Sequence, residues 1–174
     1  MACIQAFRAL IPGSVLALCA CSAKDPPVDP MPCSLAVEFT GGLTANVHRP
    51  RDDEVLSCAA GTAKLETSTR TMFTLGGNIN IHLELELLEI LPGQTGPAFP
   101  TVVRLDLFLE GRTWTVLDCA TRIDRQVLEL ADENSKSYWL SGTTTCSTAP
   151  TPDSGLPGDD LTMSPITFSG FGLW

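Results

Sequence analysis

Between Asn78 and Leu88 the chain reads NINIHLELELL, and Ile79, Ile81, Leu83, Leu85 and Leu87 alternate without a break with Asn80, His82, Glu84 and Glu86. A period of two places every apolar side chain on one face of an extended backbone, so the segment predicts a half-buried antiparallel strand with a wet outer face. Such a strand needs partners on both edges, and the rest of the chain must supply a sheet.

Several segments do so. TVVRLDLFLEGRTWTVLD reads as a hairpin turning at Glu110-Gly111, in which Leu109 pairs Arg112, Leu107 faces Trp114 and Leu105 faces Val116, with Arg104 and Asp106 on the other side. SLAVEF and LTANV flank Thr40-Gly41-Gly42, and a three-residue loop with a glycine at positive φ aligns Leu35, Val37 and Phe39 with Val47, Ala45 and Leu43. QVLELA and SYWLSG surround turn residues from Asp132 to Lys136, and ITFSGFGLW supplies a closing strand. Residues 59–70 and 147–162 are rich in Thr, Ser, Pro, Gly and Asp and read as loops. Eight or nine short strands without a long helical pattern predict an all-β fold, an antiparallel β-sandwich with an open β-barrel as the alternative. Residues 33–174 form one domain of ordinary size on this reading.

The first residues carry a different kind of information. Residues 1–20 read as a signal peptide: Arg8 is the only charged side chain of the n-region, and an apolar stretch from Ala9 to Ala20 holds Leu10, Ile11, Val15, Leu16 and Leu18. From Arg8 to Lys24 run 15 uncharged residues broken by Pro12-Gly13, short of the roughly 20 that a spanning helix needs. Leu18-Cys19-Ala20-Cys21 resembles the lipobox of bacterial lipoprotein precursors, with an aliphatic residue three before the cysteine and a small one just before it. The resemblance implies that Cys21 carries acyl chains such as palmitate, becomes the mature N-terminus and anchors the chain in the bacterial cell envelope. Ser22, where an aspartate would mark retention at the inner membrane, implies the outer membrane. Cys19 fits the pattern less well, because bulky Leu18 precedes it. Cleavage after Ala20 or Ala23 would instead release a soluble secreted protein. Residues 21–32 follow as a tether with four prolines, extended at about 3.1 Å per residue to roughly 30 Å.

Cysteine usage agrees with export. Of seven cysteines, Cys3 and Cys19 leave with the signal and Cys21 would be taken by lipid, which leaves Cys33, Cys58, Cys119 and Cys146. In an oxidising compartment these predict two disulfides, with the local pairs Cys33 with Cys58 and Cys119 with Cys146 preferred among three connectivities. Each closes a loop of about 25 residues and adds roughly 3 kcal/mol. Zinc is disfavoured, since no two of the four have a close C-x₂₋₄-C spacing.

Composition narrows the partners. The chain carries 11 Lys and Arg against 20 Asp and Glu, a net charge of −9, with no basic block. Nucleic acid is therefore not an expected partner, because that affinity rests on neutralising phosphates. Acidic headgroups would repel the domain, so attachment to a membrane falls to the acyl chains. The expected partners are a membrane through that anchor and an envelope protein or glycan.

Chemistry-bearing motifs are sparse. No G-x-S-x-G elbow, H-E-x-x-H or Walker loop occurs, no cofactor is expected, and the histidines are two. His82 falls on the polar side of its strand beside Glu84, and His48 precedes Arg49-Pro50-Arg51-Asp52-Asp53-Glu54 in an expected charged loop. Asp153, Asp159 and Asp160 form an acidic loop cluster, a weak calcium alternative that ordinary solvated turns also explain. Trp139 lies beside Tyr138 on a strand, so one of them should face outward, where it could stack on a sugar. The sequence reading is a lipid-anchored, noncatalytic binding or structural module. A secreted hydrolase using carboxylates, or a carbohydrate-binding domain, is the alternative.

Overall fold

The computed structural model describes residues 32–49, 55–61, 65–77, 80–153 and 160–174. The signal peptide, Cys21, the tether as far as residue 31, Asp52, Asp53, Glu54 and Asp159 lie outside the described residues. Every regular element described is a strand: β1 (Ser34–Gly41), β2 (Ala45–Arg49), β3 (Leu56–Gly61), β4 (Ser68–Leu75), β5 (Ile81–Leu88), β6 (Gly96–Leu107), β7 (Arg112–Ala131), β8 (Lys136–Cys146), β9 (Thr151–Pro152), β10 (Leu161–Met163) and β11 (Ile166–Leu173).

All pairings are antiparallel, and one sheet runs in the order β10-β1-β11-β8-β7-β6-β5-β4-β3, with β2 on β1 and β9 on β7. β10 and β11 follow one another along the same edge of β1, interrupted at Ser164-Pro165. Proline has no N–H to continue a ladder. Ser164 carries it instead, donating its backbone N–H to the Glu38 carbonyl at 2.9 Å and accepting the Glu38 N–H on Oγ at 2.8 Å.

The sheet folds over so that β11 lies against β3 and β4. Phe168 meets Phe73 edge to face, with centroids 6.0 Å apart. The C-terminal end of β11 is fastened by Thr69, whose Oγ1 accepts from Leu173 N–H at 2.9 Å and donates to its carbonyl at 3.2 Å. A Cβ at Gly170 would stand 2.5 Å from Thr71 Oγ1 and 2.8 Å from the Phe73 ring, so only glycine permits this approach. Leu35, Val37, Phe39, Leu83, Leu85, Leu87, Trp114 and Leu140 fill the interior between the two layers. The expected all-β class is what forms, a sheet folded into a sandwich and nearly closed as an open barrel.

In detail the structure differs from the sequence expectation at five places. The β6–β7 hairpin pairs Leu107 with Arg112, Leu105 with Trp114 and Val103 with Val116, two residues from the expected register, with Phe108 to Gly111 as its loop. The β1–β2 hairpin pairs Val37 with Val47 and Phe39 with Ala45, again two residues away. There, Thr40 and Gly41 pair with Thr162 and Leu161 of β10, so β1 runs on past Phe39 and the turn moves forward. Gly41 adopts φ 105°, and Gly42 N–H donates to the Asp160 carbonyl at 2.6 Å. Residues 59–70 are not a loop throughout, since they include the end of β3 and the start of β4, and 147–162 includes β9 and part of β10. His48 lies on β2, exposed, rather than in a loop.

Candidate functional site

Two disulfides join Cys33 to Cys58 and Cys119 to Cys146. Cys119 and Cys146 are register partners on the adjacent strands β7 and β8. Cys33, just before β1, reaches instead to β3, which is not a sheet neighbour of β1.

Tyr138 and Trp139 are separated by the alternation of β8. Tyr138 shares a face with buried Leu140 and packs edge to face on Trp174, with centroids 5.4 Å apart. Trp139 points to the opposite, outer face, between its register partners Phe171 on β11 and Val127 on β7. Its ring lies 3.8 Å from the Phe171 ring at 34°, and the residue is only 8% exposed. Among the described residues its buried indole Nε1 has no hydrogen-bond partner, and neither has the buried Oγ of nearby Ser169 on the same face. A flat exposed platform for a sugar is thus not what these residues present.

A charged concavity of about 410 Å³ lies on the outer face of β4 to β7. Arg70 reaches across from β4 to two glutamates of β5, with Nη1 3.3 Å from Glu84 Oε1 and Nη2 3.0 Å from Glu86 Oε1. Asp106 on β6 accepts from Thr113 Oγ1 at 2.7 Å and stands 3.4 Å from Arg104 Nε. His82 rests its ring 5.7 Å from Phe108 and contacts Thr74 Oγ1 at 3.2 Å through Nδ1. Period-two strands bring these groups together: every second residue of β5 faces outward, so His82, Glu84 and Glu86 share one row. Chemically the groove holds opposite charges already matched to one another. Arg70 was not legible as its centre, because the reading of 59–70 as loop hid the strand that places it.

A second concavity of about 300 Å³ opens at one end of the sheet, lined by Val47, Val55, Leu75 and Ile81. Asp153 follows β9, and Asp160 precedes β10; both are exposed and stand on segments paired to different strands. Among the described residues no group of three or more His, Cys, Asp or Glu side chains is placed to hold a metal ion. Asp132 is the described acid whose pKa is clearly displaced: N–H groups of Asn134 and Ser135 and the Ser135 hydroxyl hydrogen-bond its carboxylate and hold it below the ordinary value.

Comparison with known proteins adds no relative: no protein-family model, no curated protein and no solved structure matches the chain.

Proposed function

We propose that this chain is a cell-envelope lipoprotein, anchored in the outer membrane by acyl chains on Cys21, whose β domain is a noncatalytic binding or structural module for an envelope protein or glycan. The observation that carries the reading is the pair of disulfides, Cys33–Cys58 and Cys119–Cys146. Such bonds persist in oxidising compartments and are rare in the cytosol. An export route ending in the lipobox-like Leu18-Cys19-Ala20-Cys21 delivers a chain to that setting. The noncatalytic half is supported by the charged groove, where Arg70 holds two of the carboxylates and Thr113 and Arg104 hold the third.

The test is intact-mass measurement of the mature chain from a bacterial host, with and without globomycin. An acyl mass on an N-terminal Cys21, lost in Cys21→Ala together with membrane partition, is the expected result. An unmodified Cys21, or a chain beginning at Lys24, would overturn the anchor.

A further inference from the structure

The groove on the outer face of β4 to β7 keeps hydrogen-bonding capacity after its charges have paired. Register sets its plan: Arg70 and Glu86 stand in one row across β4 and β5, Glu84 and Arg104 in the next across β5 and β6, His82 and Asp106 in a third, and Phe108 lies just past the end of β6. From Glu86 to His82 is four residues along β5, about 13 Å, the reach of a short oligosaccharide rather than of one sugar. The ion pairs and hydrogen bonds engage one oxygen of each acid, Oε1 of Glu84, Oε1 of Glu86 and Oδ1 of Asp106. No described residue hydrogen-bonds the second oxygen of any of the three, and an ionised carboxylate accepts at both. Arg104, whose side chain is 51% exposed, contacts Asp106 through Nε, and its terminal nitrogens have no described partner.

Phe108 adds an apolar surface at the mouth of the groove. It is 64% exposed and rests on the His82 ring. The turn that carries it does not call for an aromatic, because Gly111 supplies the positive φ of 64°. Spare acceptors and donors therefore alternate over a short distance beside an open ring. Three carboxylates stand among two guanidiniums, so a cationic ligand would gain from one set and be repelled by the other. A sugar hydroxyl donates and accepts at once, which suits both sets, and the apolar face of a pyranose packs on an aromatic ring. We infer that this groove is a binding site for a neutral oligosaccharide, with Phe108 under one ring and Glu84, Glu86, Asp106 and Arg104 holding hydroxyls of the others. The inference rests on the reading of the domain as a noncatalytic binding module and names its ligand class. It is independent of the anchor, and it puts the sugar platform at Phe108 instead of at the buried Trp139.

The experiment is titration of the mature chain, followed by amide NMR shifts, with the trisaccharide of N-acetylglucosamine, with maltotriose and with trilysine. At least one trisaccharide should give saturable shifts confined to β4, β5, β6 and the turn that carries Phe108. Phe108→Ala, which removes an exposed ring and should leave the unfolding midpoint unchanged, should weaken that binding about tenfold. Glu86→Gln keeps the shape, removes the charge and should weaken it about threefold. No saturable shift with either trisaccharide up to about 10 mM, a concentration that reveals even weak affinity, would overturn the proposal. So would equal binding by Phe108→Ala, or shifts centred elsewhere on the domain. Saturation of the groove by trilysine alone would also overturn it and assign the surface to a basic protein segment. Mass analysis of the same samples after prolonged incubation keeps the two readings apart: cleavage of a bound trisaccharide would overturn the noncatalytic reading and uphold the groove as a sugar site, whereas an intact, unbound trisaccharide overturns the sugar site alone.

Discussion

Thr121 stands between two other buried hydroxyls in an interior that is mostly apolar. Its Oγ1 lies 2.7 Å from Thr101 Oγ1 and 2.7 Å from Thr144 Oγ1, and Thr101 donates onward to the Phe99 carbonyl at 2.9 Å. One consistent direction of donation satisfies all three groups across β6, β7 and β8. Thr121→Val should therefore break both side-chain bonds and leave Thr144 unpaired, a loss of about 2 kcal/mol. Denaturant unfolding with an unchanged slope checks it, and Thr121→Ser should recover most of the loss. Asp132 gives a second expectation at this scale. Its carboxylate is hydrogen-bonded to Asn134 N–H first, then to Ser135, which lowers its pKa from the ordinary 3.8. A folded pKa below the unfolded one stabilises the β7–β8 turn above the unfolded value, and that contribution is lost as pH falls through the folded one. The amide shifts of Asn134 and Ser135 should accordingly titrate below the ordinary carboxylate range, and in Asp132→Asn they should not titrate at all.

At the scale of elements, what the sequence reveals is parity. In both the β1–β2 and the β6–β7 hairpins the observed register lies two residues from the expected one, while the buried face is the one the alternation required. A slip of one residue would have turned Leu105 and Val103 to solvent, whereas a slip of two leaves the apolar rows facing inward. Turn geometry and a competing edge settle what alternation leaves open, as β10 does at Gly41. β4 escaped notice for a related reason. Its inward residues begin with Thr69 and Thr71 and become apolar only at Phe73 and Leu75, so no apolar period shows over its first half. Those positions are polar and small where β11 approaches through Gly170 and Gly172, so the signal absent from β4 is the counterpart of the glycines in β11. Gly170→Ala tests the fit. Its methyl group would meet Thr71 and Phe73 and should cost about 1–3 kcal/mol, read as a lower unfolding midpoint with faster amide exchange in β4 and β11.

For the whole molecule, the legible parts of the candidate site were those written in local spacing. The cysteines pair with partners 25 and 27 residues away, but the grouping of Arg70 with Glu84, Glu86 and Asp106 needs three strands in register and left no motif. The two disulfides also show where the folded sheet is open. Their loops are nearly equal, so loss of either one should remove about 3 kcal/mol through the unfolded chain. Their native consequences differ. Cys119 and Cys146 are joined across a ladder that β7 and β8 already complete, whereas Cys33 and Cys58 clasp the start of β1 to β3, the last strand of the path. Replacing Cys33 and Cys58 together by serine should loosen β3 and the beginning of β1 well before global unfolding, with β5 to β8 retaining their protection. Replacing Cys119 and Cys146 should lower stability with no such local opening. Native-state hydrogen exchange on both double variants distinguishes these patterns. If the two variants exchanged alike, the clasp between β1 and β3 would be no more than another cross-link, and the sheet would hold its fold-over through the packing of β11 on β3 and β4, including the Phe73–Phe168, Gly170 and Thr69–Leu173 contacts.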